Sequence, residues 1–175
     1  MTHTERVAAL LVHLDALYNL AMWVTCDTRD AESLVRATLR QALSTALAPF
    51  PGTKLRVHLL TVMWETYCRH HSVHPDGLGP ESGEQALPEK RSLLRTLSRA
   101  DLDAALRQLP EALRATVILS DMEGYPGEDV AAILGTTKER VQTALMQARR
   151  LLSQVLQSRL TSTQVWPAAE GEDSR

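Results

Sequence analysis

The sequence predicts an all-α fold in two small helical domains joined by a flexible linker. Three observations carry this. Ala, Leu, Arg and Gln outweigh the Val, Ile and Tyr that strands favour, and aromatic residues make up only 4% of the chain. Apolar residues recur at steps of three and four on both sides of a central gap. In that gap, residues 72–91 (SVHPDGLGPESGEQALPEKR) hold three prolines, three glycines and no apolar period. With 175 residues, 44% hydrophobic and 23% charged, the chain suits a globular protein of one ordinary domain or two small ones.

The first helix follows from Leu10, Leu14, Leu17, Ala21 and Val24, which form one core-facing stripe. Asp27–Asp30 breaks it, and a second helix over 31–47 carries Val35, Leu39, Leu43 and Leu47 until Pro49–Gly52 stops it. A third, over 53–68, shows Leu55, Leu59 and Val62 on one side. These helices make a bundle over 1–71, followed by a linker at 72–97. The second domain, 98–160, opens with a helix bearing Leu102, Ala105, Leu106 and Leu109. Pro110 then sits where a first helical turn accepts proline, and the next helix runs over 111–121. Gly124–Gly127 forms a turn, and the tail over 161–175 is polar and expected to be disordered.

The most informative stretch is GEDVAAILGTTKERVQTALMQARRLL, residues 127–152. Two helical segments meet at Leu134-Gly135-Thr136, and Thr136–Glu139 has the form of a capping box that starts the second. Along it Val141, Leu145, Ala148, Leu152 and Val155 share a buried face, while Glu139, Thr143, Met146 and Arg150 lie opposite. Net charge is −2, so the chain lacks the uniformly basic character of many nucleic-acid binders. Its distribution is uneven: residues 98–135 carry three basic and seven acidic side chains, and residues 136–160 carry five basic and one acidic. The sign flips at the turn.

A short helix, a glycine turn and a longer helix with a basic outer face match a helix-turn-helix, whose second helix enters the major groove. Arg140, Gln142, Thr143 and Gln147 are the candidates for base edges, and Lys138, Arg149 and Arg150 for phosphates. On periodicity alone the same face also reads as the solvated side of an amphipathic helix.

The layout resembles bacterial RNA polymerase sigma factors of the extracytoplasmic-function (ECF) group. Leu109-Pro110, Arg114, Leu119, Glu123-Gly124, Asp129-Val130-Ala131, Leu134-Gly135, Val141 and Ala148–Leu152 fit the family's fourth conserved region. The resemblance implies that the last helix docks on the −35 promoter element. Departures sit on the polar face: Glu139–Ala144 replaces a commoner Gly-Thr-Val-Lys-Ser-Arg, and Gln147 replaces a common arginine. Weaker or differently specific binding follows, because phosphate contacts add to affinity. Leu17–Ala21 and Asp30–Val35 are similar to the family's second region, which implies polymerase binding through Asp30, Glu32, Ser33 and Arg36. Ser33, Arg36 and Ala37 stand where the family usually has aspartate, glutamine and glutamate, and His58 and Glu65 where it has tryptophan and asparagine. By the same resemblance Arg56, His58, Trp64, Tyr67 and Arg69 would hold the −10 element as single-stranded bases. Trp64 and Tyr67 read equally well as core residues.

Core RNA polymerase, promoter DNA and an anti-sigma regulator are the partners this resemblance implies. The competing reading is a sigma-like interaction module that binds a regulator or a second copy without recognising promoters. Cys68, His70, His71 and His74 lack the paired two-residue spacing of structural zinc sites and read as a solvated helix end, so no metal is expected. No phosphate loop, nucleophile with its base, or paired acids in a common pocket is evident, so neither a cofactor nor an enzymatic activity is expected. Cys26 and Cys68 read as free thiols. With no apolar run near the ~20 residues needed to span a bilayer, and Asp15 met before any cleavage site, a cytoplasmic protein is expected.

Overall fold

The structure is a computed structural model describing residues 3–44, 52–71 and 99–163, with side chains placed over 4–44, 54–71 and 100–158. Leu47, the stop at Pro49–Pro51, the linker and the tail beyond Thr163 lie outside the described residues. Eight α-helices follow in order among those described: α1 His3–Leu11, α2 Leu14–Thr25, α3 Thr28–Ser44, α4 Gly52–His71, α5 Arg99–Leu106, α6 Glu111–Val117, α7 Gly127–Leu134 and α8 Lys138–Thr163. None is long and apolar enough to cross a membrane alone.

The first apolar stripe is split between α1 and α2, which meet at 53° across Val12 and His13. The His13 N–H closes on the Leu10 carbonyl at 3.0 Å. Because the bend shifts the helical phase, Leu14 turns out to 37% exposure while Leu10, Leu17, Ala21 and Val24 stay buried. Asp27 caps α3, its Oδ1 accepting the Arg29 and Asp30 N–H groups at 2.8 and 3.0 Å.

Helix α4 departs most from expectation. Besides Leu55, Leu59 and Val62 it buries Leu60, Met63, Trp64, Thr66 and Tyr67. The reason is tertiary: α4 packs against α2 and α3 on one side and α7 on the other. The Tyr67 hydroxyl donates to the Val24 carbonyl (3.1 Å) and the Thr61 hydroxyl to that of Ala132 (3.4 Å). A helix covered on two sides shows no single stripe.

In the second unit Pro110 precedes α6 rather than entering its first turn, and its carbonyl accepts the Arg114 N–H at 2.9 Å. The helix expected over 111–121 opens into a π turn at Ile118–Met122, closed by the Glu123 N–H on the Ile118 carbonyl at 2.9 Å.

One apolar core runs through both units, from Leu10 to Leu156. The polar fastening is Arg114 on α6, only 6% exposed. Its guanidinium donates to the Trp23 carbonyl (3.2 Å), the Leu109 carbonyl (3.1 Å) and Cys26 Sγ (2.7 Å). Arg107 adds a 3.3 Å bond to the Cys26 carbonyl. The end of α2 carries the unpaired carbonyls and negative pole of every helix C-terminus, so a cation there satisfies both. Cys26 itself takes a left-handed φ of 56°, which bends the chain out of the helix.

Arg114→Ala strips one buried and one half-buried carbonyl of their donor, and should lower stability by about 2–4 kcal/mol. Far- and near-ultraviolet circular dichroism should still follow one shared transition in the unsubstituted chain. A midpoint unchanged by the substitution, or two separate transitions, would contradict the shared core.

Candidate nucleic-acid interface

Gly135 ends α7 with φ of 65°, and its N–H and that of Thr136 both reach the Ala131 carbonyl. A Cβ at Gly135 would meet nothing within 4 Å, so conformation and not space requires glycine. The cap of α8 is Thr137, whose Oγ1 accepts the Arg140 N–H at 3.3 Å. This lies one residue later than the expected Thr136–Glu139 box; Thr136 Oγ1 is buried without a partner. Glu139 instead bonds its own backbone and Thr137, which holds its carboxyl below the ordinary range.

The buried face of α8 is Val141, Ala144, Ala148, Leu152 and Leu156, with Leu145 and Val155 half-buried. It is rotated toward Ala144 relative to the sequence pattern because α5, α6 and α7 all pack along α8. Gln142, Met146, Arg149 and Arg150 are exposed, while Arg140, Thr143 and Gln147 are half-buried at the edge. Thr143 donates back to the Glu139 carbonyl at 3.1 Å. The outer face is therefore accessible over the first three turns of α8.

Two of its cations hold carboxylates of the same unit. Lys138 Nζ lies 2.8 Å from Glu128 Oε1, across the glycine turn. That hydrogen bond holds the Glu128 carboxyl below its usual range and the Lys138 ammonium above, so both are charged at neutral pH. Arg149 grips Asp121 with two bonds, Nε to Oδ2 at 2.9 Å and Nη2 to Oδ1 at 2.6 Å. Sequence reasoning assigned no role to Asp121 or Glu128. The acid excess before the turn was the available signal, but their pairing depends on the π turn and the α7–α8 angle.

The first unit's candidates sit differently. Arg56 lies 3.4 Å from Glu123 and 5.1 Å over the Tyr125 ring, both beyond the linker in sequence. His58 lines a cleft of about 360 Å³ with Lys54, Val57 and Asp129. Trp64 is 3% exposed and stacks on Tyr67 at 5.7 Å, so in this arrangement both rings are core. Burial pushes the Tyr67 hydroxyl up to about 12. Arg69 is exposed. Asp30, Glu32, Ser33 and Arg36 are all exposed on α3. At the end of α4, His70 bonds the Thr66 carbonyl at 2.7 Å and the His71 ring stacks on Tyr67 at 4.4 Å.

Residues 99–152 match the family described as sigma-70, region 4. The chain is 30% identical over 159 residues to the ECF RNA polymerase sigma factor SigE of Mycolicibacterium smegmatis, covering 86% of this chain and 61% of that protein. It is 27% identical over 149 residues to the ECF RNA polymerase sigma factor EcfG of Rhodopseudomonas palustris, covering 84% of this chain and 82% of that protein. It thus spans less than two thirds of SigE but most of EcfG. Among solved structures, the sigma factor RpoE in complex with the anti-sigma factor NepR from Bartonella quintana superposes with a TM-score of 0.64. That match is 24% identical and covers 85% of this chain and 94% of the other. The PhyRSL-NepR complex from Sphingomonas sp. Fr1 gives 0.62 at 18% identity, covering 100% and 98%. These two show a shared fold.

Burial raises the Cys68 thiol to about 11. Its alkylation by iodoacetamide, followed by peptide mass spectrometry, should accelerate about tenfold per pH unit from neutrality toward that value, since only the thiolate reacts. A rate that levels off near pH 8 to 9 would show an ordinary exposed thiol.

Proposed function

We propose that the chain is an RNA polymerase sigma factor of the ECF group that directs core polymerase to promoters and starts transcription there, a reading supported by the match of its second unit to sigma-70 region 4 and by its likeness to SigE and EcfG. The observation that carries this reading is the geometry of α8: its apolar edge is sealed inward while Gln142 and Arg150 stand exposed on the opposite side. Arg140, Gln142, Thr143 and Gln147 read base edges of the −35 element in the major groove. Arg150 meets phosphate, and Lys138 and Arg149 reach it once they leave their carboxylates.

The exposed α3 face with Asp30, Glu32, Ser33 and Arg36 binds the polymerase. Helix α4 takes the −10 element with Arg56, His58, Trp64 and Arg69, which requires the packing around it to open, since in the packed form Trp64 is buried and Arg56 is engaged by Glu123 and Tyr125. The working units are 1–71 and 98–160. Recognition belongs to this chain and chemistry to the polymerase, so it is no enzyme, and it acts in the cytoplasm. An anti-sigma regulator holds it inactive, as the RpoE complex suggests by analogy of fold.

Assembled with core polymerase and presented with a randomised duplex library, Arg140→Ala should relax preference at one base pair. Arg150→Ala should weaken binding to all sequences and lower the salt slope by about one. Identical effects of the two substitutions, or a chain that never co-elutes with the polymerase, would overturn the reading.

A further inference from the structure

Two of the cations assigned to phosphate already hold anions. The Arg149–Asp121 pair is two-pronged, the same fork that guanidinium offers a phosphate. Asp121 sits inside the π turn closed between Ile118 and Glu123, which fixes the carboxylate over the middle of α8. Glu128 belongs to the first turn of α7, and reaches the first residue of α8 across ten positions of sequence. In a helix-turn-helix the first helix crosses the DNA backbone, so this carboxylate stands where a strand of phosphates approaches.

We propose that Asp121 and Glu128 are specificity-setting residues that occupy the phosphate-binding cations of α8, so that contact with a duplex exchanges each carboxylate for a phosphate. This rests on the reading of α8 as a DNA-binding helix. Non-specific affinity comes almost wholly from phosphate contacts, whereas base readout uses Arg140 and Gln142. Occupying Lys138 and Arg149 therefore depresses binding to arbitrary DNA and leaves base discrimination intact. The exposed single-bond pair of Lys138 with Glu128 adds little to stability, so a fold-stabilising role does not account for it; the two-pronged Arg149–Asp121 pair also ties the π turn to α8. The two differ in accessibility: the Lys138 and Glu128 side chains are 48% and 76% exposed, Arg149 and Asp121 55% and 34%. Lys138 exchanges more readily, and Asp121 is the stronger restraint.

The test uses the full chain and a fluorescein-labelled mixed-sequence duplex, read by anisotropy from about 50 to about 200 mM salt. Asp121→Asn and Glu128→Gln each raise net charge by one, and Asp15→Asn, on the exposed side of α2, is the charge-matched control. The proposal expects both to bind roughly 3- to 10-fold more tightly at the low-salt end, Asp121→Asn more so, with the salt slope steeper by about one. Asp15→Asn should change binding less than about 2-fold, because a remote charge is screened. Thermal midpoints verify folding, and Glu128→Gln, altering the most exposed member of the two pairs, carries the test if Asp121→Asn unfolds. If both variants bind like Asp15→Asn while Arg150→Ala still weakens the unsubstituted chain, the proposal falls and the DNA-binding reading stands. If neither the unsubstituted chain nor any variant binds, the reading falls and the proposal with it.

Discussion

The rest of the structure depends on how the C-terminal end of α2 is satisfied. Carbonyls at a helix end must find donors, and this end is partly covered by a second unit that lies almost ninety residues further along the chain. Arg114 supplies the donors, with Arg107 and Tyr67 on flanking carbonyls. A guanidinium suits the place because it carries several donors in a rigid fork and a charge that complements the helix pole. Once that contact is made, α6 is fixed against α2, α7 comes to rest on α4, and one core closes over both units.

This packing divides the proposed nucleic-acid surface into a covered part and an open part. Of the residues proposed for single-stranded bases, Trp64 is enclosed and Arg56 is engaged by Glu123 and Tyr125, while Arg69 stays exposed. The outer face of α8 remains accessible, yet two of its cations are held by Asp121 and Glu128. Attractive groups are present throughout, but in this arrangement steric cover restrains one set and local anions the other. A chain with net charge −2 is then consistent with a DNA-binding role: its basic face is local, and acids beside it set how strongly it acts.

Most of the helical architecture was legible in the sequence, because apolar period, Gly135 and the charge flip each leave a local trace. The existence of α3, the turn before α8 and the exposed positions Gln142 and Arg150 all followed from such traces, although α3 begins at Thr28, inside the expected break. What was hidden depends on neighbours remote in sequence. Trp64 and Tyr67 could be read as stacking platforms or as core until α2 and α7 were seen to cover α4. Leu14 fit the stripe, and a bend at Val12–His13 took it out of phase. Arg114 matched a family position with no stated task, and its role appears only beside Trp23 and Cys26. Lys138 and Arg149 looked like free phosphate ligands because their carboxylate partners are ten and twenty-eight residues away.

The most direct test of this interlocked arrangement is the distance distribution between spin labels placed by non-cysteine chemistry at Glu32 on α3 and Gln154 on α8, measured by pulsed dipolar spectroscopy on the free chain. A single narrow distribution in the unsubstituted protein, giving way to a broad and longer one in Arg114→Ala, is the predicted result. A broad distribution already present in the unsubstituted protein, and unchanged by the substitution, would show that the two units are not held together as described.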